Sequence, residues 1–105
     1  MGFFDLLSSG VETISADELR DKLATDKPFL LDVREPYEHQ RKNIPGSVLI
    51  PLGQLSARLS ELESFRDRTI VVYCASGARS ASACGMLKAK GFQVLNLSGG
   101  MNRWK

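Results

Sequence analysis

The stretch Thr69-Ile-Val-Val-Tyr-Cys-Ala-Ser-Gly-Ala-Arg-Ser80 constrains the fold more than any other part of the chain. Its first half is a continuous apolar, β-branched run, the pattern of a strand buried on both faces. Such a strand belongs in a mostly parallel sheet covered by helices on both sides. From Cys74 the run breaks into small residues, and from about Ser80 the pattern predicts a helix. The small side chains of Ala75, Ser76, Gly77 and Ala78 let the backbone curl so that several N–H groups converge on one point. Consecutive amides ahead of a helix N-terminus form a concavity that attracts anions. A thiol at Cys74 sits in or beside that field, which lowers its pKa and raises its reactive fraction at neutral pH. Arg79 ends the loop with a planar, permanently charged fork suited to oxyanions. The bland alternative is an inert buried cysteine beside a surface arginine. It leaves the coincidence of strand, loop, Gly77 and Arg79 unexplained.

The remainder alternates strand and helix patterns. Thr13-Ile14 reads as a short extended piece. Ser15 and Glu18 form a capping box that opens a helix through about Ala24, with Leu19 and Leu23 on one face. Asp26-Lys27-Pro28 stops it. Phe29-Leu-Leu-Asp-Val33 is a second buried strand, with Asp32 near the carboxyl end where open α/β sheets gather their functional groups. A polar loop from Arg34 to Asn43 follows, and Ile44-Pro-Gly-Ser47 turns the chain into a short strand at Val48–Ile50. Leu52, Leu55, Leu59 and Leu62 predict one amphipathic helix. The helix from Ser80 to Lys90 ends at Gly91, a last strand spans Phe92–Leu97, and Met101–Lys105 is a partial helix on which Trp104 packs. The expected fold is therefore α/β: a small, mostly parallel sheet of about five strands with helices on both faces. Residues 13–105 are expected to form the single domain. Residues 1–12 form a lead-in whose Phe3, Phe4, Leu6 and Leu7 pack on it or fray.

Charge and cysteine usage narrow the function classes. The net charge of +2 is mild and the basic residues are interspersed with acids. The run Gln40-Arg-Lys-Asn43 has no aromatic residues for stacking on bases, so nucleic-acid binding is not expected. No stretch reaches the ~18 to 20 apolar residues of a membrane span. Two cysteines in a chain with a core of its own fit a cytoplasmic thiol protein better than a disulfide scaffold. Cys84, ten residues after Cys74, falls on the apolar stripe of its helix and reads as a packing residue. The spacing gives neither a CxxC pair nor a zinc pattern. His39 reads as a surface residue, because a low-pKa thiolate needs no base. Asp32, a carboxylate at a buried strand end, requires hydrogen-bond donors and reads as support for the Cys74 loop. Arg34 points to the same side and either adds to the positive field or pairs with a nearby acid.

Four segments together resemble the single-domain rhodaneses, a sulfurtransferase family, from about Thr13 to Lys105. They are Asp32-Val-Arg-Glu-Pro-Tyr-Glu38, Ile44-Pro-Gly-Ser-Val-Leu-Ile-Pro51, Val72-Tyr-Cys-Ala-Ser-Gly-Ala-Arg-Ser80 and Leu97-Ser-Gly-Gly-Met-Asn-Arg-Trp104. The resemblance implies a rhodanese-like fold in which Cys74 accepts a sulfane sulfur as a persulfide. It places the outer sulfur among the amides from Ala75 through Ser80, with Arg79 closing the loop and Asp32 and Arg34 bracing it. It implies a small sulfur-containing anion such as thiosulfate, or a thiol, as substrate, and leaves room for a protein persulfide donor or acceptor. It implies no metal and no organic cofactor; a monomer or weak oligomer is expected, with the oligomeric state left open by the sequence. One departure stands out: the family's usual Gly-His ahead of Ile-Pro-Gly is Lys42-Asn43 here.

Loop length separates this reading from its main rival. Cysteine-dependent phosphatases place five residues between cysteine and arginine to ring a phosphoryl group, and only four separate Cys74 from Arg79. An arsenate reductase would require a reachable Cys84. A non-catalytic interaction domain of the same fold would usually have lost Cys74.

Overall fold

The apolar run Thr69–Tyr73 becomes the middle strand of a five-stranded sheet, and all of it but Thr69 is buried. The structure, a computed structural model, describes residues 10–105. The Phe3, Phe4, Leu6 and Leu7 lead-in lies outside the described residues. In chain order the elements are β1 (Thr13–Ile14), α1 (Ala16–Thr25), β2 (Phe29–Asp32), α2 (Pro36–Arg41) and β3 (Val48–Leu49). There follow α3 (Leu52–Leu55), which runs into a 3-10 helix (Ser56–Phe65), then β4 (Thr69–Tyr73), α4 (Ala78–Ala89), β5 (Gln93–Leu97) and α5 (Gly100–Arg103).

Strand order is β1-β5-β4-β2-β3, and each of these pairings is parallel. Side chains alternate across β4. Ile70, Val72 and Cys74 pack with Leu55, Leu62 and the Ala83, Cys84 and Leu87 stripe of α4. Val71 and Tyr73 face the other way, against Leu19 of α1, Ile44, Leu97 and Met101. Helices therefore cover both faces, as a parallel sheet of short buried strands requires.

The register sets Asp32 beside Tyr73, so β2 and β4 end together. From β2 the chain moves to β3 on one side, and from β4 to β5 on the other. Connections that part in opposite directions leave a crevice at the carboxyl ends of two neighbouring strands, the usual place for a site in an open α/β sheet.

Three elements differ from the sequence reading. The polar stretch Arg34–Asn43 is not all loop: α2 forms within it, with Pro36 in the first turn and Glu38 Oε1 accepting the Glu35 N–H at 2.9 Å. Proline is pre-organised for a first helical turn, and a carboxylate three residues in caps the free amide. The leucine stripe at 52–62 is not one α-helix. Its backbone breaks at Arg58 (φ −115°, ψ 18°) and continues as a 3-10 helix. The three-residue steps Leu52–Leu55 and Leu59–Leu62 suit i,i+3 eclipsing, and Arg58 spans the break by bonding Gln54 and Glu61. Finally, α4 begins at Ala78, with Gly77 as its cap at φ 111°, so Arg79 already lies in the first helical turn.

Candidate active site

Cys74 follows the last residue of β4, where the backbone leaves the sheet and turns within three residues into α4. Glycine at 77 permits this, since φ 111° is a left-handed value that a side chain disfavours. The turn aims donors back at the sulfur. Gly77 N–H lies 3.1 Å from Cys74 Sγ, Ser80 N–H 3.4 Å, and the Ser80 hydroxyl 3.3 Å. Burial pushes the Cys74 thiol up, but the Ser80 hydroxyl and the amides of Ser80, Gly77 and Ser76 outweigh it and hold the pKa below the ordinary thiol value. The residue as a whole is 0% exposed, so the loop covers the sulfur that it stabilises.

The loop is itself held from behind. Asn96 of β5, buried at 7% exposure, accepts from Ser80 Oγ at 2.6 Å and donates to the Gly77 carbonyl at 3.1 Å. Met101 N–H donates to the Cys74 carbonyl and Asn102 N–H to that of Ala75, each at 2.9 Å. Gly100 lets α5 approach this closely: a Cβ there would overlap the carbonyl oxygen of Cys74 and lie 2.7 Å from that of Ala75. Asn96 was not singled out by sequence reasoning. The signal existed, since a lone amide in the apolar run of β5 has to find partners once buried.

Asp32 and Arg34 do meet, but away from the sulfur. Asp32 Oδ1 accepts from the Arg34 backbone and Nε at 2.9 and 3.0 Å, and Oδ2 from Nη2 at 2.7 Å. Arg34 Nη2 also donates to the Lys42 carbonyl at 2.6 Å. Among the described residues the partners of the Asp32 carboxylate are Arg34 and His39, not the Cys74 loop, so its support for that loop is indirect. The pair fixes the connection that carries α2. His39 is not a plain surface residue: its Nδ1 lies 2.9 Å from Asp32 Oδ2 and its side chain is only 24% exposed. Asn43, at the position that departs from the family pattern, donates to the His39 carbonyl at 2.8 Å and closes the same turn.

Arg79, expected to close the loop with a planar fork suited to oxyanions, has that fork filled, with Nη1 and Nη2 at 2.7 and 2.9 Å from the two carboxylate oxygens of Glu38 on α2. The Arg79 guanidinium holds Glu38 down at a pKa of about 2. This ion pair spans the crevice between the segments leaving β2 and β4. Cys84 is buried and unlinked, and burial, with a smaller contribution from the neighbouring Cys74 charge, pushes its thiol up to about 12.

The arrangement can stabilise a thiolate, or a sulfur anion borne on it, by backbone amides and one hydroxyl. Comparison with known proteins agrees in kind. The family model described as "Rhodanese-like domain" matches residues 15–105. A protein of Allochromatium vinosum named "Sulfurtransferase" is 40% identical over 96 residues, spanning 90% of this chain and 88% of that one. The "Putative sulfur carrier protein YrkF" of Bacillus subtilis is 37% identical over 99 residues, 92% of this chain but 52% of that protein. Among solved structures, an NAD-dependent persulfide reductase from A. fulgidus superposes with a TM-score of 0.77 at 36% identity, over 97% of this chain and 17% of that one.

Proposed function

Because this chain belongs to the rhodanese-like domain family, we propose that it is a sulfurtransferase working through a persulfide on Cys74. The observation that carries the reading is the convergence of Gly77 N–H, Ser80 N–H and Ser80 Oγ on one sulfur atom. Oriented dipoles in a water-poor site stabilise an anion without having to reorganise.

In the first half-reaction the Cys74 thiolate attacks the outer sulfur of thiosulfate. The S–S bond of the donor breaks, sulfite leaves with the bonding pair, and Cys74 holds an outer S⁻. In the second, a thiolate attacks that outer sulfur, leaves as a persulfide, and returns Cys74 to its starting form. With cyanide as acceptor the product is thiocyanate. Charge is conserved in each half, and the amides face an anion in both states. Splitting the exchange through a covalent nucleophile predicts ping-pong kinetics. The "sulfur carrier" and "persulfide reductase" names of two similar proteins support a thiol or a protein-borne sulfur as the cellular partner.

The test is intact-protein mass after thiosulfate treatment. A gain of about 32 Da, one sulfur, mapping to Cys74 and absent from Cys74→Ser, is the expected result. Absence of the gain in the wild type after both thiosulfate and a small alkyl persulfide defeats the reading.

A further inference from the structure

The Arg79–Glu38 pair takes up a guanidinium close enough to Cys74 to feel the charge of its sulfur. A free guanidinium at this place would offer a fork to an incoming oxyanion donor. Both of its terminal nitrogens are instead engaged by one carboxylate, at 2.7 and 2.9 Å. Glu38 is not a mobile side chain that swings into place, because its Oε1 is also fixed by the Glu35 N–H at the start of α2. Its side chain is 17% exposed against 39% for Arg79, so the acid is the more deeply set of the two. A cavity of about 220 Å³ beside it is lined by Arg34, Glu38, Arg41 and Lys42. Among the described residues that line this cavity Glu38 is the one acid, beside Arg41, Lys42 and the Asp32-paired Arg34, and the same carboxylate holds Arg79.

We propose that Glu38 is a specificity-determining residue that occupies Arg79 as an internal anion. Small oxyanion donors such as thiosulfate then reach the fork only by displacing it, and persulfides whose reacting sulfur bears no oxyanion are favoured. This rests on the sulfur-transfer reading above and adds the donor class. A thiosulfate dianion meets the Glu38 charge as well as the loop amides, and gains the bidentate face of the guanidinium only after separating the pair. A persulfide R–S–SH makes no such demand. Cys74 S⁻ attacks its outer sulfur, the S–S bond breaks, R–S⁻ leaves and takes up the thiol proton, and Cys74–S–S⁻ remains on the same amides.

The experiment compares steady-state sulfur transfer to cyanide from two donors, thiosulfate and cysteamine persulfide, in the wild type, Glu38→Gln and Glu38→Asp. Glutamine keeps the shape and removes the charge. The expected result is a fall in KM for thiosulfate of about fivefold in Glu38→Gln, the scale of a partly exposed ion pair. The KM for cysteamine persulfide stays put, and the change sits in KM rather than kcat. Glu38→Asp, which keeps the charge, retains a high thiosulfate KM. An unchanged thiosulfate KM in Glu38→Gln, equal movement for both donors, or an Asp variant behaving like Gln overturns the proposal. Should Glu38→Gln fail to fold by circular dichroism, the wild type decides. Iodoacetamide should alkylate Cys74 faster than iodoacetate once each rate is divided by its rate with free cysteine, and the reverse order overturns the proposal. Failure of the wild type to take sulfur from either donor defeats sulfur transfer itself, and this proposal with it. Normal uptake without the Glu38 effect defeats this proposal alone.

Discussion

Ser80 Oγ lies 2.6 Å from Asn96 Oδ1 and 3.3 Å from Cys74 Sγ, and its one proton can point at only one of them. Asn96 is oriented independently, because its Nδ2 donates to the Gly77 carbonyl. While Cys74 is a thiol, the shorter contact takes the hydroxyl proton. When the sulfur becomes an anion, a charge-assisted hydrogen bond is the stronger of the two, and the hydroxyl turns toward it. Ser80 is the largest influence drawing the Cys74 pKa down against burial. Ser80→Ala should therefore shift the pH profile of iodoacetamide alkylation upward and slow alkylation at pH 7 by roughly fivefold to tenfold. An unmoved profile would mean that the amides alone hold the thiolate.

Asn96 ties the loop to β5 from behind without touching the sulfur. Asn96→Leu fills similar volume but leaves the Gly77 carbonyl without its side-chain donor. That carbonyl keeps the Ala81 N–H at 3.0 Å, so the loss is that of the Asn96 side-chain hydrogen bonds, about 0.5 to 1.5 kcal/mol each. Thermal unfolding should shift down accordingly, and persulfide formation on Cys74 should slow because the loop loses its anchor. A variant with wild-type melting and wild-type sulfur uptake would show that the loop holds its shape unaided.

The Glu38–Arg79 pair has a definite pH window. Its carboxyl titrates near 2 in the folded chain against 4.5 as the ordinary value. The depressed pKa gives stability that is complete above about 4.5 and disappears as pH falls through about 2. With Arg79 partly open to solvent the contribution is about 1 kcal/mol. Acid denaturation of Glu38→Gln should be shallower over that interval than that of the wild type, and the two should differ least at the acid end. Parallel curves across the whole interval would show that the pair adds no stability.

The sheet, its parallel sense and the place of Cys74 were legible because they follow from local pattern. Thr69–Tyr73 is apolar at every position but the first, which only a strand covered on both faces tolerates. The capping box at Ser15 and Glu18 was legible for the same reason, and it forms as read. What escaped depends on partners far apart in sequence. Glu38 and Arg79 are 41 residues apart, and nothing local says that one will fill the other's fork. Asn96 meets Gly77 and Ser80 only because β5 lies beside β4. His39 looked solvated by its polar neighbours, yet α2 turns it onto Asp32. The stripe from Leu52 to Leu62 misled differently: its mix of three- and four-residue steps is shared by an α-helix and by a 3-10 helix broken at Arg58.

Gly100 gives the most demanding test of how closely α5 supports the loop. It has φ +52°, and the nearest atoms to an added Cβ are the backbone oxygens of Cys74 and Ala75 rather than flexible side-chain ends. Those carbonyls are also the acceptors for Met101 and Asn102 N–H. Neither side can yield without breaking a hydrogen bond that positions Cys74. Gly100→Ala should combine left-handed strain with backbone overlap and destabilise the fold by more than about 2 kcal/mol. Gly46→Ala is the control for strain alone, since φ there is +87° with nothing within 4 Å of the added carbon. Gly100→Ala should lower both the melting temperature and the rate of sulfur uptake, and Gly46→Ala the melting temperature only. Equal behaviour of the two variants would reduce the α5 contact to ordinary backbone preference and remove it from the site.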